Sequence, residues 1–311
     1  MRAGQASHGR SFAKRFWLQR YLMILTLPAV LWMIVFNYIP MYGIVIAFQE
    51  YTPFQGFLHS PWIGLANFRE LFNDPTFTES LTNTFKISIA KLLFGFPAPI
   101  VLALLLNELV YKRFKRIVQS LTYLPHFVSW VLVVGFMYTL LDPENGVISK
   151  MLESLGLIGP DTMLMGDPDA FLPLVVFTEV WKNIGWNSII YLAAIAGIDP
   201  QLYEAGVMDG ANRFQRIWHI TLPALKPTIV ILLILSIGGL VNSNFDQMYL
   251  MQNSMTQDAA NVLSVYSYKM GLVLGRFSYG TAVGVFQSVV AFILMYAANY
   301  GSRKLTKESL F

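Results

Sequence analysis

The feature that most constrains this chain is a series of long apolar runs, at roughly 21–48, 83–106, 118–141, 171–195, 226–243 and 280–300. An α-helix rises 1.5 Å per residue, so about 20 apolar residues cross the ~30 Å hydrocarbon core of a bilayer. The expected fold is therefore an all-α membrane protein of about six transmembrane helices, an even number that leaves both termini on one side. Composition agrees: 55% of residues are hydrophobic and 13% charged, where a soluble domain carries about a quarter charged residues.

Lysine and arginine orient the bundle. If the N-terminus is cytoplasmic, the inside segments hold 15 of the 22 basic residues and the outside segments hold 4, Arg69, Lys150, Lys269 and Arg276. The positive-inside rule then makes both ends cytoplasmic. Residues 1–20 read as a cytoplasmic N-terminal segment, 21–300 as the transmembrane domain, with its first run retained as a span, and 301–311 as a cytoplasmic tail. The formal charge of +4 comes from short basic blocks between apolar runs, which is a membrane-orientation pattern and not a nucleic-acid-binding face. There is no cysteine, which excludes disulfides, thiolate metal sites and a cysteine nucleophile. His8, His59, His126 and His219 are scattered without metal-ligand spacing, so no metal site is expected. No GxxxxGK[ST] loop occurs, so the chain has no means of cradling nucleotide phosphates. The outside loops near 49–82, 142–170 and 244–279 are turn-rich and too short for a folded extracellular domain.

The longest inside loop, 196–225, is polar yet rich in helix formers. Asp199 is a fitting N-cap and Pro200 a fitting first helical residue, so a short helix is expected along the inner membrane face. Ala205 and Gly206 leave its surface bare for close approach, Gly210 permits a sharp exit, and Pro223 separates the loop from the next span. Glu204 is a single charge on that small-residue face, suited to a basic partner residue.

This loop, LYEAGVMDGANRFQRIWHITLP, resembles the EAA loop of the permease subunits of ABC importers. Glu204, Ala205 and Gly206 lead, Gly210 follows, and after nine intervening residues, Ala211 to His219, come Ile220, Leu222 and Pro223; the departure is Gly206 where the family has alanine. The stretches NYIPMYGIVIAFQEYTPFQG, GLANFRELF, FGFPAPIVLALLLNEL and TYLPHFVSW are similar to carbohydrate-uptake permeases of the maltose-permease type, within them to the branch importing acidic or plant- and algal-wall oligosaccharides. The resemblance implies the type I importer fold in the bacterial inner membrane. It implies a second homologous permease, two ATP-binding-cassette ATPase subunits that bind ATP and Mg, and an extracytoplasmic solute-binding protein. Glu204, Ala205, Gly206, Asp209 and Gly210 become the residues expected to couple to the ATPase. A permease for another solute, such as glycerol phosphate, an amino acid or a neutral sugar, shares the same loop. An intramembrane enzyme would need a nucleophile, metal cluster or acid–base pair within the spans, and none is found.

Polar residues inside spans are costly and mark candidate sites. Asn183, Asn187 and Tyr191 recur every four residues and share one helix face, with Trp186 bordering it. Amides beside an aromatic ring suit a sugar, which offers an apolar face and a rim of hydroxyls. The competing reading puts Trp186 in an interfacial belt and the asparagines against the neighbouring permease. By the resemblance, Asn242 and Asn244 at the end of the fifth span face the sugar cavity, while Asp246 beyond them is a solvated cap. Gln287 is either a pathway residue or a helix–helix contact. Lys91, two turns into its span, either neutralises a uronate in the pathway or pairs with an acid of another subunit.

Overall fold

A computed structural model describes residues 20–306, and all the regular structure there is helical apart from one isolated Gln49–Trp62 bridge. Helix α1, Arg20–Met33, continues through π and 3-10 turns to Phe48. Then come α2, Pro75–Gly95, and α3, Pro97–Glu108, which form one 34-residue run, followed by α4, Lys112–Tyr123, and α5, Trp130–Leu140. The remaining principal helices are α6, Pro168–Ala196, α7, Pro200–Met208, α8, Leu222–Gly238, α9, Phe245–Met251, α10, Leu263–Tyr268, and α11, Phe277–Thr306.

Among the described residues, four helical runs are long and apolar enough to span: Arg20–Phe48, Pro75–Glu108, Arg213–Gly238 and Phe277–Lys304. The expected span at 171–195 is the 29-residue helix α6, which has the length, but Glu179, Lys182, Asn183 and Asn187 make its middle polar. The expected span at 226–243 begins earlier and ends at Gly238, so Asn242 and Asn244 lie beyond the helix. Pro223 does not separate the loop from that span as expected. A π-helical turn over Ile217–Thr221 precedes it, and Pro223 falls in the first turn of α8, where a missing N–H is tolerated. The expected tail 301–311 begins inside α11, and its remainder, like most of the expected N-terminal segment 1–20, lies outside the described residues.

The expected third span, 118–141, is broken. Beyond α4 the chain makes a 3-10 turn to Phe127, and α5 leaves at 101° to the preceding run. Pro125 lacks an N–H, and Ser129 is extended and caps α5 by accepting the Leu132 N–H at 3.4 Å. Such a break strands carbonyl oxygens at membrane depth, where each unsatisfied group costs several kcal/mol. Lys182, reaching from α6, donates to the carbonyls of Pro125 (3.2 Å), His126 (2.7 Å) and Val128. An ammonium has three N–H groups, and here they meet three acceptors. The same ammonium sits 5.5 Å from the centre of the Trp130 ring. Close by, α4 and α6 cross with their backbones in contact: a Cβ on Gly185 would stand 2.1 Å from the Thr122 carbonyl oxygen, so only glycine fits.

A small buried cluster of Ala103, Tyr191, Ile195 and Leu225 joins α3, α6 and α8, and further buried residues gather toward the outer ends of the helices and the outside loops. Helix α1 buries no residue at all, whereas Leu71, Phe77, Met248, Met251, Leu263 and Tyr266 are at most 1% exposed. The three outside loops, individually too short for a domain, pack jointly into a cap. Its ties include Tyr51 N–H to Ser278 (2.9 Å), Asn83 to the Asp258 carbonyl (2.7 Å) and Asn253 to the Met165 carbonyl (2.6 Å). Burial against water rewards such a cap, while helices facing lipid gain no hydrophobic free energy from pairing. Asp74 caps α2 and accepts from the hydroxyls of Tyr266 and Tyr279. Burial pushes its carboxyl up, but the Tyr266, Thr76 and Tyr279 donors outweigh that and hold it below the ordinary carboxylate range.

The break between α4 and α5 yields the first prediction. Lys182→Met keeps the side chain's length but takes the ammonium from three carbonyls, of which that of Pro125 retains the Val128 N–H at 3.2 Å, at ~1–3 kcal/mol for each group left unsatisfied. Thermal unfolding of the assembled, detergent-solubilised complex should show a clear loss of stability, partly restored by Lys182→Arg. An unchanged midpoint for Lys182→Met would show that the break is held by something else.

Candidate functional site

The polar middle of α6 faces a cavity of about 390 Å³ between α2, α3, α6, α8 and the segment after α8. The four-residue repeat along α6 sets this up, since residues at that spacing stack on one face. Asn183, Asn187 and Tyr191 from α6, Lys91 from α2, and Asn242 and Asn244 from the segment after α8 all line it. Four further lining residues, Ser88, Glu179, Ser236 and Ser243, bring one carboxylate and three hydroxyls that the sequence reading did not single out. The side-chain amides of Asn187 and Asn242 make no hydrogen bond to any described residue and face the cavity open to a ligand.

Charge in the cavity is balanced within the chain. Lys91 lies 3.4 Å from the Glu179 carboxylate and donates to Gln247 Oε1 at 2.6 Å. The acid paired with Lys91 is thus Glu179 of the same chain, where the alternative reading placed it on another subunit. Gln247 is itself pinned, its Nε2 donating to the Val175 carbonyl (2.8 Å) and Thr178 Oγ1 (2.9 Å). The other Glu179 oxygen accepts from Asn183 Nδ2 at 2.8 Å, and Asn183 Oδ1 lies 3.0 Å from His126 Nδ1. A continuous polar chain therefore runs from Gln247 through Lys91, Glu179 and Asn183 to His126, in the helix break held by Lys182.

Two expected pathway residues lie outside the cavity. Trp186 is stacked on His126, with ring centres 4.5 Å apart and planes 4° from parallel, and meets the edge of Phe127 at 5.6 Å, so one of its faces is already occupied. Gln287 donates to the Val241 carbonyl at 3.4 Å, a helix-to-loop contact. Asn244 caps α9 by accepting the Gln247 N–H at 3.3 Å, so the cap is Asn244 and not Asp246.

At the inner end, α7 forms with Asp199 capping it, accepting the Gln201 N–H at 3.0 Å, and with Pro200 at its first position. It ends at Gly210, whose φ of +77° is left-handed, while Ala211 N–H reaches back to the Gly206 carbonyl (2.8 Å) and Gly210 N–H to that of Val207 (3.0 Å). This is the paired-bond glycine exit of a helix. Glu204, Ala205 and Asp209 are exposed, but Gly206 faces inward: a Cβ there would stand 3.1 Å from Ile220 Cδ1 and 3.7 Å from Arg216 Cγ. Its smallness serves the loop's own packing, which corrects the expectation that it bares the docking face. Met208 and Phe214, 86% and 84% exposed, are the most exposed of several apolar side chains in this loop, with Leu202, Val207 and Trp218 also exposed.

Glu179 could have been found from sequence, because it extends the Asn183, Asn187, Tyr191 stripe by one further step of four. Gln247 and His126 carried no such signal, since both enter through contacts between segments distant in sequence.

Comparison with known proteins agrees with this architecture. Residues 95–307 match the family model described as binding-protein-dependent transport system inner membrane component. Protein LplB of Bacillus subtilis is 44% identical over 98% of this chain and 96% of its own length. The polygalacturonan/rhamnogalacturonan transport system permease protein YteP of the same organism is 45% identical over 94% of this chain and 91% of its own. One chain of a bacterial alginate ABC transporter, crystallised in complex with an alginate pentasaccharide-bound periplasmic protein, is 38% identical. It superposes with a TM-score of 0.86 over 96% of this chain and 99% of that one. The chain thus belongs to the family of inner membrane components of binding-protein-dependent transport systems, as a multi-pass permease subunit without catalytic activity of its own.

Proposed function

We propose that this chain is the permease subunit of an ATP-driven importer that passes an acidic oligosaccharide of pectic or alginate type. A solute-binding protein outside the membrane delivers the sugar, a second homologous permease completes the pathway, and two ATPase subunits bind and hydrolyse ATP with Mg. The substrate class rests on the near-full-length likeness to the polygalacturonan/rhamnogalacturonan permease and to the alginate transporter chain. The passage site rests on the cavity, whose open amides and hydroxyls match the rim of a sugar ring, with Lys91 supplying the cation.

The residues divide the work. Asn187 and Asn242 offer unpaired amides to hydroxyls, Ser88, Ser236 and Ser243 add donors and acceptors, and Tyr191 walls the inner end of the stripe. Asn183 is already committed to Glu179 and His126, so it orients its neighbours more than it greets the sugar. Trp186 has its ring against His126, which assigns it to supporting the break. At the inner face, Glu204, Ala205, Asp209 and the apolar Met208 and Phe214 form the surface offered to the ATPase, held rigid by the caps at both ends of α7.

Two expected outcomes test this. In proteoliposomes containing the complete complex, with ATP inside and loaded binding protein outside, uptake of an oligogalacturonate or alginate oligosaccharide should far exceed that of a neutral glucan of equal length. Asn187→Ala should lower it about five- to tenfold, the worth of one hydrogen bond of ~1–1.5 kcal/mol, with assembly intact. Uptake of only a neutral sugar, an amino acid or glycerol phosphate would overturn the substrate reading.

Glu204→Lys reverses the one charge on the exposed face of α7 without touching a span. Like charges brought together at an interface cost several kcal/mol, so the variant should insert and pair normally yet lose ATPase association or sugar-stimulated ATP hydrolysis. Full retention of both would remove the coupling role from this loop. Gly206→Trp makes a poorer probe, because it strikes Ile220 of the same chain.

A further inference from the structure

Lys91 is positioned by one residue and neutralised by another. Its short bond, 2.6 Å, goes to Gln247, and Gln247 is fully buried and fixed by the Val175 carbonyl and the Thr178 hydroxyl. The contact with Glu179, at 3.4 Å, is long for a charge-assisted bond, which favours about 2.7–2.9 Å. Glu179 is held independently through Asn183, and both members of the pair line the cavity. The ammonium would therefore stay in place if the carboxylate beside it were exchanged for another.

We infer that Lys91, Glu179 and Gln247 form a carboxylate-exchange site, in which a substrate uronate takes the place of Glu179 on an ammonium that Gln247 keeps fixed. This rests on the acidic-substrate reading and adds a specificity-determining role for Glu179. With the pair intact the empty cavity carries no net charge from these groups, so the ammonium is not left bare in a low-dielectric site, which would be costly. When a uronate enters, Glu179 remains tethered to Asn183 nearby and repels it. That repulsion keeps the substrate from being held too tightly to leave, which an importer requires.

The test uses the complete complex in proteoliposomes, with uptake of an acidic oligosaccharide and of a neutral one of equal length measured over a range of loaded binding protein. Glu179→Gln removes the competing charge, so half-saturation for the acidic sugar should fall at least threefold while that for the neutral sugar stays within twofold. Lys91→Gln should abolish the acidic preference, and adding Glu179→Gln to Lys91→Gln should then lower acidic half-saturation by clearly less than it does with Lys91 present. Glu179→Asp, which keeps the charge but shortens its reach, should shift acidic half-saturation in the same direction by a smaller factor, and it covers the case in which Glu179→Gln fails to assemble. Equal losses for both sugars, or the same Glu179→Gln effect with and without Lys91, would make the pair structural and overturn the inference. No acidic uptake by the unsubstituted complex would overturn the proposed function along with it. Acidic uptake by the unsubstituted complex, with either of the preceding results, would overturn this inference alone.

Discussion

The constraint on which the rest of the structure depends is that α6 carries charged and amide side chains through the middle of a bilayer. A charge at that depth costs at least ~2.5–3.5 kcal/mol unless it is compensated. Compensation shapes the surrounding fold. Lys182 is answered by carbonyls that a broken helix offers, and the break in turn takes three hydrogen bonds from Lys182. Glu179 is answered by Lys91 on α2 and by Asn183 one turn along, which ties α2 to α6 across the cavity. What remains uncompensated, the amides of Asn187 and Asn242, faces the cavity and is free for a ligand. The polar groups that the chain itself satisfies are thus set apart from those left open to the cavity.

Above and below this middle layer, the chain spends its burial differently. The outside loops build a cap with a fully buried core, where burial works against water, and the cap anchors the outer ends of α2 and α11 through Asp74, Tyr266 and Tyr279. The inner loop instead leaves Met208 exposed one turn from Glu204 on a helix whose ends are both capped, and Phe214 exposed in the short helix that follows. On the proposed reading, this is the surface that the ATPase covers.

Much of this is legible in the sequence, for identifiable reasons. The length of the apolar runs specifies helices, and the four-residue repeat of Asn183, Asn187 and Tyr191 specifies the face that lines the cavity. Asp199, Pro200 and Gly210 specify both ends of α7, because capping is a local rule. What escapes is decided by contacts between distant segments. The break at residues 124–129 looks like continuous apolar helix until Lys182, over fifty residues later, is seen to serve its carbonyls. Trp186 reads as a free aromatic platform until His126 is found on its face, and Gly206 as a bare docking surface until Ile220 is found beneath it. The joint packing of three short loops into a cap is invisible to any reading that takes each loop alone.

The central claim is that substrate passes through the cavity on the Asn187 side of α6. Positions 186 and 187 are neighbours in sequence, but only Asn187 lines the cavity, while Trp186 stacks on His126 outside it. The most direct measurement places a photoreactive side chain at one position or the other in the complete complex and supplies a labelled acidic oligosaccharide on its binding protein under ATP turnover. The account predicts labelled sugar captured from position 187, dependent on binding protein and ATP, and little from position 186. Capture from 186 with none from 187 would contradict it.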